Sequence, residues 1–298
     1  YALRWVSDDF KNNILIVIEA VKKNGNALIY ASDRLKNNYD IVLAAVKQNG
    51  EALKYVSDRL KNNYDIVLAA VKQNGIAFYS ASKKFSNNYD IVMTAVKQDG
   101  ICLEIASEDL QNNYNIVMAA VSTRGCALKY ASKDLQNNEK IVLVAMNNPR
   151  ALRHVSKKFS NNYDIVIAAV KQDGLVLEYA SEELKNNYTI VMAAVSKNGY
   201  ALEYASKRLK NNYDIVMVAV SDCGPVLEYA SEELKNDFSI VMESIKEDTK
   251  AIVFVSKNLR DDHRIMMTAV KKSGYSLQYA SKRLLNYKPI VLSAVKNY

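Results

Sequence analysis

Apolar residues recur along this chain with a period of 25 residues, and each period has two parts. When a period is counted so that it ends at glycine, positions 2, 3, 6 and 10 are apolar in nearly every copy, whereas positions 4, 8, 9 and 11 are mostly polar. Apolar residues separated by one, three and four positions share one face of a helix. The first part of each period therefore predicts an amphipathic helix of about ten residues.

The second part of each period is more apolar than the first. Positions 16, 17, 18, 20 and 21 are apolar, as in Ile66, Val67 and Val71 of the third copy, and isoleucine occupies position 16 in all twelve copies. A helix that is apolar over most of its circumference is buried on several sides. We therefore predict a second helix that lies between the first helix and the neighbouring repeats.

The glycines fix the register of the array. All nine of them end a period, the sixth period is one residue short, and the twelfth is unfinished. A fixed period of this length is typical of a solenoid. We predict an all-α solenoid, with a right-handed superhelix, in which twelve two-helix repeats of 25 residues form a single array. The predicted repeats are 1–25, 26–50, 51–75, 76–100, 101–125, 126–149, 150–174, 175–199, 200–224, 225–249, 250–274 and 275–298.

Two connections in each repeat carry recognisable turn residues. Asn62 and Asn63 lie between the two predicted helices of repeat 3. We expect one of them to adopt the left-handed conformation at the end of the first helix and the other to cap the second. Gly75 is predicted to end the second helix as a left-handed cap, with the apolar Ile76 completing a Schellman motif.

Serine occupies position 7 in all twelve repeats, from Ser7 to Ser281. Twelve catalytic nucleophiles in one chain are implausible, so we interpret this serine, Ser57 in repeat 3, as structural. Two roles remain open. Its hydroxyl bonds to a backbone carbonyl one turn earlier, or its small size lets two helices approach closely.

The three prolines mark positions where a backbone N–H is dispensable. Pro149 replaces the turn in the shortened repeat 6, Pro225 begins a repeat, and Pro289 lies near the start of a second helix. Proline is tolerated at helix starts and in turns. We expect a small local kink at Pro149, with a change of superhelix curvature as the alternative.

Composition places the chain among folded proteins without membrane spans. Apolar residues make up 49% and charged residues 24%, which excludes a disordered chain, and no apolar run reaches the roughly 18–20 residues of a membrane span. The three cysteines lack metal-ligand spacing and are odd in number, which indicates reduced thiols and an intracellular, cytosol-like compartment. The chain begins at Tyr1 rather than methionine, and we expect it to be a piece of a longer protein.

Candidate catalytic residues have simpler explanations. His154 and His263 occupy positions that are normally tyrosine, so we interpret them as aromatic replacements rather than a metal pair or a general base. Aspartate at position 15, as in Asp65, suits the first turn of a helix. Each glycine stands alone, which excludes a glycine-rich phosphate loop. We expect no enzymatic activity, no cofactor and no metal.

Two rows of side chains allow a second interpretation. Most of the twenty tyrosines lie at positions 5 and 14, and six methionines lie at position 18. Exposed, they would form a stacking surface for single-stranded nucleic acid or an adaptable binding surface. We favour packing, because the tyrosines hardly vary and leucine or isoleucine replaces the methionines. The net charge of +8 is also spread along the chain, whereas a nucleic-acid binder concentrates its basic residues on one stripe.

The recurring motif has a counterpart among known repeats. Ser57, Asn62, Asn63, Ile66 and Gly75 are the fixed elements of a motif that reads ALxYASxxLKNNYDIVLAAVKxNG. The motif spans the chain and resembles the repeat family catalogued as domain of unknown function 4116. The resemblance implies a helical array and an origin in large DNA viruses of protists or in amoeba-associated bacteria, hence host cytoplasm or virion. It implies no catalytic activity.

These observations predict a non-catalytic scaffold that binds proteins. The alternative is a helical-repeat protein that binds nucleic acid through its basic, tyrosine-rich surface. Partner choice must lie among the variable surface positions 1, 4, 8, 9, 15, 19 and 22, and position 19 is the most telling of them on the second helix. The predicted partner-binding residues are Glu19, Thr94, Asp214, Val218, Glu243, Arg264 and Thr268.

Overall fold

The structure is a computed structural model that describes residues 2–298. These residues form helices and turns without any strand, and the helices recur with the 25-residue period, so the predicted all-α solenoid is confirmed. The chain divides into two compact bodies, an N-terminal body that ends at Val155 and a C-terminal body, Ser156–Tyr298. The handedness of the superhelix stays a prediction.

Each repeat contains three helical segments rather than two. The predicted ten-residue first helix is wrong, because it is divided into a 3-10 helix and a short middle helix. The division falls at the position-7 serine, since Ser57 has extended backbone angles (φ −59°, ψ 152°). Apolar spacing gave no signal of this break, because residues on both sides of it face the same core.

The three sets of segments follow one another regularly along the chain. The 3-10 helices span Ala2–Trp5, Gly25–Tyr30, Gly50–Tyr55, Gly75–Ser80, Gly100–Ile105, Gly125–Tyr130, Pro149–His154, Gly174–Tyr179, Gly199–Tyr204, Gly224–Tyr229, Thr249–Phe254 and Gly274–Tyr279. The middle helices span Asp8–Lys11, Asp33–Lys36, Asp58–Lys61, Lys83–Asn87, Glu108–Gln111, Lys133–Gln136, Lys157–Ser160, Glu182–Lys185, Leu209–Asn211, Leu234–Asn236, Lys257–Arg260 and Lys282–Leu285. The long helices span Ile14–Lys23, Tyr39–Gln48, Tyr64–Gln73, Tyr89–Gln98, Tyr114–Thr123, Glu139–Ala145, Tyr163–Gln172, Tyr188–Lys197, Tyr213–Asp222, Phe238–Glu247, His263–Lys272 and Lys288–Lys296.

The long helices form the core, as predicted, and each contacts the preceding and the following repeat through different positions. In the first repeat Ile16 is 37% exposed while Val17 is fully buried. In the last repeat Ile290 is fully buried while Val295 is 69% exposed. Positions 16 and 20 therefore contact the preceding repeat, and positions 17 and 21 contact the following one. This shared use explains why Ile66 and its equivalents never change.

The first part of each repeat closes the core from the other side. In repeat 3, Ala52, Leu53, Val56 and Leu60 are all buried, as the apolar spacing predicted. Burying a leucine or valine side chain stabilises a fold by roughly 1.5–3 kcal/mol. The 3-10 helix and the middle helix together thus contribute to stability even though each is too short to be stable alone.

The predicted left-handed cap at Gly75 is wrong. No residue in the described part of the chain has a positive φ, and each of the nine glycines is the first residue of a 3-10 helix. Glycine is needed because the next repeat approaches closely. A Cβ on Gly50 would lie 2.3 Å from the Ala70 carbonyl oxygen, far inside van der Waals contact. Ile76 accordingly follows a helix start and completes no Schellman motif.

Hydrogen bonds fasten these glycines to the following repeat. The Gly50 N–H donates to Gln73 Oε1 at 2.5 Å, and the Gly75 N–H donates to Gln98 Oε1 at 2.7 Å. The glutamine at position 23 thus pairs a backbone group at the start of one 3-10 helix with the end of the next repeat's long helix. Close backbone approach and this bond together set the spacing of adjacent repeats.

The position-7 serine has a role that neither interpretation anticipated. Ser57 caps the middle helix, since its Oγ accepts from the Leu60 N–H at 3.4 Å, and the hydroxyl donates to Asn37 Oδ1 of the preceding repeat at 2.7 Å. Arg59 reinforces the link, because its Nε donates to the same Asn37 oxygen at 2.9 Å. Nine of the twelve serines donate to the position-12 residue of the repeat before.

The two asparagines between middle and long helices divide their work. Asn63 caps the long helix as predicted, with Oδ1 accepting from the Ile66 N–H at 3.1 Å. The left-handed conformation expected of its neighbour is wrong, because Asn62 has φ −99° and ψ 6°. Its equivalents serve instead as acceptors for the next repeat's serine, as Asn37 does for Ser57.

The prolines lie at helix starts, as predicted, with Pro149, Pro225 and Pro289 each in the first turn. In repeat 6 the deletion shortens the long helix to seven residues, Glu139–Ala145. The following 3-10 helix still begins normally, because Asn148 Oδ1 accepts from the Arg150 N–H at 3.0 Å. The missing residue is therefore taken from the long helix and not from the 3-10 helix.

Candidate functional site

The best candidate for an interaction surface is the outer face of the long helices, defined as positions 14, 15, 18, 19 and 22. Positions 16, 17, 20 and 21 are buried in most repeats, so these five positions, together with position 23 at the end of the helix, are what the long helix presents to solvent. In repeat 3, Tyr64, Asp65 and Lys72 are exposed, and Leu68 and Ala69 are half-buried. The face is therefore an apolar strip bordered by charges.

Adjacent long helices enclose a groove on this face. Between repeats 2 and 3 it has a volume of about 600 Å³. Its floor includes Leu43 and Leu68, and its sides carry Tyr39, Asp65 and Lys72. The aspartate at position 15 thus lies in the same groove as the tyrosine at position 14 of the repeat before. The Asp65 carboxylate therefore lines the same groove as the Tyr39 ring.

Five of the seven predicted partner-binding residues lie together in the C-terminal body. Asp214 and Val218 belong to the long helix of repeat 9, Glu243 to that of repeat 10, and Arg264 and Thr268 to that of repeat 11. These three helices are consecutive neighbours. Asp214 and Arg264 are exposed and the other three are half-buried, so the structure brings these five residues to one continuous part of the outer face.

Local contacts hold several of these side chains in place. Arg264 Nη2 donates to Asp262 Oδ2 at 2.8 Å, and its guanidinium lies 4.2 Å from the ring centre of Phe238. Glu243 Oε2 lies 3.8 Å from Lys246 Nζ. The hydroxyl of Thr268 donates to the Arg264 carbonyl at 2.8 Å. Arg264 is thus oriented by a carboxylate and an aromatic ring, as recognition surfaces require.

The other two predicted residues lie apart from each other in the N-terminal body. Glu19 belongs to repeat 1 and accepts from Lys22 Nζ at 2.8 Å. Thr94 belongs to repeat 4 and donates to the Asp90 carbonyl at 2.7 Å. The structure places both on the outer face but does not bring them together.

Electrostatics on this face come from ordinary pairs. The side chain of Arg264 and then the helix-start amides hold the pKa of Asp262 at about 2, against desolvation. A hydrogen bond from Lys22 lowers the pKa of Glu19. Both carboxylates are therefore ionised at neutral pH, and neither is tuned for proton transfer near neutrality.

The expectation that the tyrosines pack inside the repeats is wrong for position 14. Seven of these rings are 38–44% exposed. The methionines at position 18, including Met93 and Met217, are half-buried rather than core residues. The pattern misled because these residues flank the core: a side chain that recurs in every repeat need not be buried. Tyrosines at position 5, such as Tyr55, are half-buried.

The histidines and thiols provide no assembled chemistry. Burial, followed by repulsion from Arg153 and Lys129, lowers the pKa of His154, so this imidazole is neutral at pH 7. His263 is the first residue of a long helix. Burial raises the pKa of the Cys102 thiol to about 12. Residues 2–298 hold no group of three or more His, Cys, Asp or Glu side chains arranged to bind a metal.

Sequence reasoning missed the contacts that position 11 makes. The side-chain amide of Gln111 donates to the carbonyls of Leu103 and Ala106 at 3.1 and 3.2 Å. Gln136 does the same in the next repeat. Position 11 looked like an ordinary polar surface position. The sequence held one sign that position 11 matters: serine replaces the longer side chain there in two repeats, at Ser86 and Ser160.

The match to a known protein family repeats along the chain with the same 25-residue period. The sequence profile of the family described as Domain of unknown function (DUF4116) matches overlapping windows that together cover almost the whole chain, at residues 1–36, 13–61, 38–86, 63–111, 88–136, 113–160, 138–185, 162–210, 187–234, 212–260 and 262–298. The chain belongs to the DUF4116 family. No curated protein and no solved structure matches it.

The DUF4116 windows and the structure agree on register. The window 13–61 begins at Asn13, the cap of a long helix, and ends at Lys61, the last residue of a middle helix two repeats later. Successive windows start 25 residues apart from 13 to 138, and the next starts at 162, across the deletion. One DUF4116 unit thus spans two structural periods. Among residues 2–298, no helix is long and apolar enough to cross a membrane.

Proposed function

We propose that this DUF4116 array is a non-catalytic scaffold that binds partner proteins on the outer face of its long helices. One observation carries the proposal: in the long helices of repeats 2–5 and 7–11, positions 16, 17, 20 and 21 are buried and, apart from Ser244, apolar, while the neighbouring exposed positions differ between repeats. A constant core thus presents changing side chains at regular intervals, which is how solenoids recognise extended partners.

The C-terminal body shows this contrast most clearly. Position 19 is Val218, Glu243 and Thr268 in three successive repeats, on helices that all keep isoleucine at position 16. Interfaces gain affinity from apolar and arginine anchors surrounded by polar groups. Val218 in repeat 9 and the oriented Arg264 two repeats later lie on this face, so we expect partner contacts to centre on repeats 9–11.

The absence of catalysis is part of this proposal and has positive support. The recurring position-7 hydroxyl donates to the preceding repeat in nine of the twelve repeats, as Ser57 does to Asn37. A serine that donates to an asparagine oxygen has no base to accept its proton. Three free thiols support an intracellular, reducing compartment.

Nucleic acid is the second candidate, and the half-exposed tyrosines favour it. Exposed rings at regular spacing suit base stacking. Against it, Asp65 shares the groove of Tyr39, and aspartate recurs at position 15 in Asp40, Asp90, Asp164 and Asp214. Carboxylates beside the rings repel phosphate, so protein remains the proposed partner.

Site-specific photo-crosslinking tests the proposal. A benzoylphenylalanine replaces Val218 on the outer face, and a matched probe replaces Lys207, which is exposed on the other side of the same repeat. We expect protease-sensitive adducts from the Val218 probe in extract of the source cells, and none from the Lys207 probe. Adducts from the Lys207 probe alone would contradict the assignment of the face. Adducts removed by nuclease would favour the second candidate.

A salt titration separates the candidates without knowledge of the partner. If nucleic acid binds, affinity for a single-stranded oligonucleotide falls steeply as salt rises. We expect no association tighter than roughly 10⁻⁴–10⁻⁶ M at physiological salt.

A further inference from the structure

Two glutamines bind backbone carbonyls of their own repeat in the same way. Gln136 Nε2 donates to the carbonyls of Leu128, Lys129 and Ala131 at 3.2, 3.3 and 2.9 Å. Those carbonyls belong to positions 3, 4 and 6. Gln111 Nε2 reaches the same three positions in repeat 5. The end of the 3-10 helix therefore presents three carbonyl oxygens that accept from a primary amide.

In repeat 6 the amide oxygen of Gln136 also has a hydrogen-bond partner. Gln136 Oε1 accepts from Lys133 Nζ at 3.2 Å, and the glutamine is only 8% exposed. Lys133 occupies position 8. Three carbonyls and one ammonium thus surround a carboxamide, with donors and acceptors matched on both sides.

Repeat 4 has these partners without the carboxamide. Position 8 is Lys83, but position 11 is Ser86, whose hydroxyl is too short to copy the glutamine. A cavity of about 330 Å³ lies here, lined by Phe78, Tyr79, Ala81, Ser82, Lys83, Ser86, Ile105 and Ala106. Within residues 2–298 no hydrogen-bond donor reaches the carbonyls of Tyr79 or Ala81.

A second replacement enlarges the cavity. Position 5 of the following repeat is Ile105, whereas ten of the twelve repeats carry an aromatic residue or histidine there. In repeat 10 the equivalent ring, Tyr229, lies 5.9 Å from Lys210 at position 11 of the repeat before. In the cavity Ser86 and Ile105 take these two places and leave space beside Phe78. Ser160 is the other serine at position 11, but Tyr179 follows it at position 5.

Two further side chains, Ser82 and Tyr79, determine the polarity and the shape of the cavity. Ser82 lines it, and its hydroxyl has no hydrogen-bond partner within residues 2–298, unlike that of Ser57. Tyr79 forms a fixed wall, because its hydroxyl donates to Glu104 Oε2 at 2.9 Å. The cavity volume falls at the small end of ligand pockets, which is about 300 Å³.

We propose that this cavity binds a primary carboxamide carried on a short apolar chain, such as a glutamine side chain or a small free amide. The amide N–H groups donate to the carbonyls of Tyr79 and Ala81, and its oxygen accepts from Lys83, as Gln136 does with Lys133. The apolar chain lies against Phe78 and Ile105. A carboxylate is disfavoured because it faces carbonyl oxygens, and an ammonium because it faces Lys83.

The test is an NMR titration of the isotopically labelled chain with butyramide. We expect saturable shifts of the amide signals of Ala81, Ser82 and Ile105. Sodium butyrate and N,N-dimethylbutyramide have the same apolar chain without the paired donor and acceptor, and we expect them to bind at least about tenfold more weakly. Equal binding of all three would overturn the proposal, because the cavity would then recognise only the chain.

Variants separate the site from the rest of the surface. Ser86→Gln places a carboxamide where repeats 5 and 6 have one, and should abolish butyramide binding while the chain stays folded. Lys61→Gln makes a comparable change at the same position of repeat 3 and should leave binding unchanged. Butyramide shifts of equal size in Ser86→Gln and the unchanged chain would place the ligand elsewhere and contradict the proposal.

One further ligand, compared with butyramide, distinguishes the sources of the amide. An acetyl-Ala-Gln-Ala N-methylamide peptide has one primary carboxamide, on its glutamine. If it binds more tightly than butyramide, the site recognises a glutamine of a protein segment; if it binds more weakly while butyramide still saturates, the site takes a free amide. Failure of both overturns the site but leaves the outer face of the long helices untouched, since Ser86 lies on a middle helix.

Discussion

Repeats 3 and 4 have long helices that differ only at positions 18 and 19, but they differ more in the part that precedes the long helix. Their long helices, Tyr64–Gln73 and Tyr89–Gln98, are capped by Asn63 and Asn88 in the same way. Their first parts diverge: Ser57 links to Asn37, whereas Ser82 makes no side-chain hydrogen bond within residues 2–298. The long helix therefore keeps its place without the serine link.

This difference shows which part of a repeat can change. Arg59 donates to Asn37 through both its Nε and its Nη2, but Lys84 at the same position instead lies over the ring of Phe85 at 4.9 Å. Repeat 4 thus loses contacts with repeat 3 and gains a cavity. The buried stacking of long helices carries the fold, and the 3-10 and middle helices are where a site can arise.

The largest expected effect is a difference in stability between substitutions at Gly50 and at Gly75, the residues that begin the 3-10 helices of repeats 3 and 4. A Cβ at Gly50 would lie 2.3 Å from the Ala70 carbonyl oxygen, and one at Gly75 would lie 2.9 Å from that of Ala95. Overpacking costs about 1–3 kcal/mol, so we expect Gly50→Ala near the upper end and Gly75→Ala near the lower end. Hydrogen exchange of the flanking repeats measures both. Equal losses would refute the close-approach explanation.

The next effect concerns the serines. Ser57→Ala removes a helix cap and a link to the preceding repeat, and should cost about 1 kcal/mol of local stability. Ser82→Ala removes neither and should change stability by only a few tenths of a kcal/mol, about the usual range for surface substitutions. The measurement is exchange of the amides in the two middle helices. A comparable loss in Ser82→Ala would show that its hydroxyl is bonded after all.

A stabilising substitution in repeat 4 provides a further test of the difference between repeats 3 and 4. Ser86→Gln should give repeat 4 the amide contacts of Gln136, and each hydrogen bond contributes about 0.5–1.5 kcal/mol. We expect slower exchange in residues 75–87, together with an unchanged rate around Lys61. A faster rate would mean that the glutamine does not reach the carbonyls of Tyr79 and Ala81.

The smallest effect involves the exposed arginine. Arg59→Lys loses the forked pair of bonds to Asn37 and should cost about 0.5 kcal/mol. The reverse change, Lys84→Arg, should gain less, because Ser82 does not support the acceptor Asn62. Thermal unfolding of both variants beside the unchanged chain provides the measurement, and a larger effect at Lys84 than at Arg59 would contradict the assignment.

Much of the fold could be predicted because the period of the apolar residues indicates directly which positions are buried. The 25-residue period, the core positions represented by Ile66 and Val67, the Asn63 cap and the helix-start prolines were all correct. These features depend on neighbours in sequence or on the apolar pattern alone. Each leaves a local signal in the sequence, and most of these signals recur from repeat to repeat.

Several of the errors share a physical cause, which is contact between repeats. The role of Gly50 depends on the Ala70 carbonyl and that of Ser57 on Asn37, twenty residues away in each case. No local rule contains those partners. Gln136 was missed for a related reason, since its acceptors exist only once the 3-10 helix ends at Tyr130. The cavity of repeat 4 follows from such contacts and could not be predicted earlier.

The most direct test of this account is a pair of double-mutant cycles. The first couples Ser57→Ala with Asn37→Ala, and the second couples Ser82→Ala with Asn62→Ala, each followed by local hydrogen exchange. We expect a coupling of about 1 kcal/mol in the first cycle and none in the second. Equal coupling in both cycles would contradict the conclusion that repeat 4 lacks the serine–asparagine side-chain link that joins repeat 3 to repeat 2.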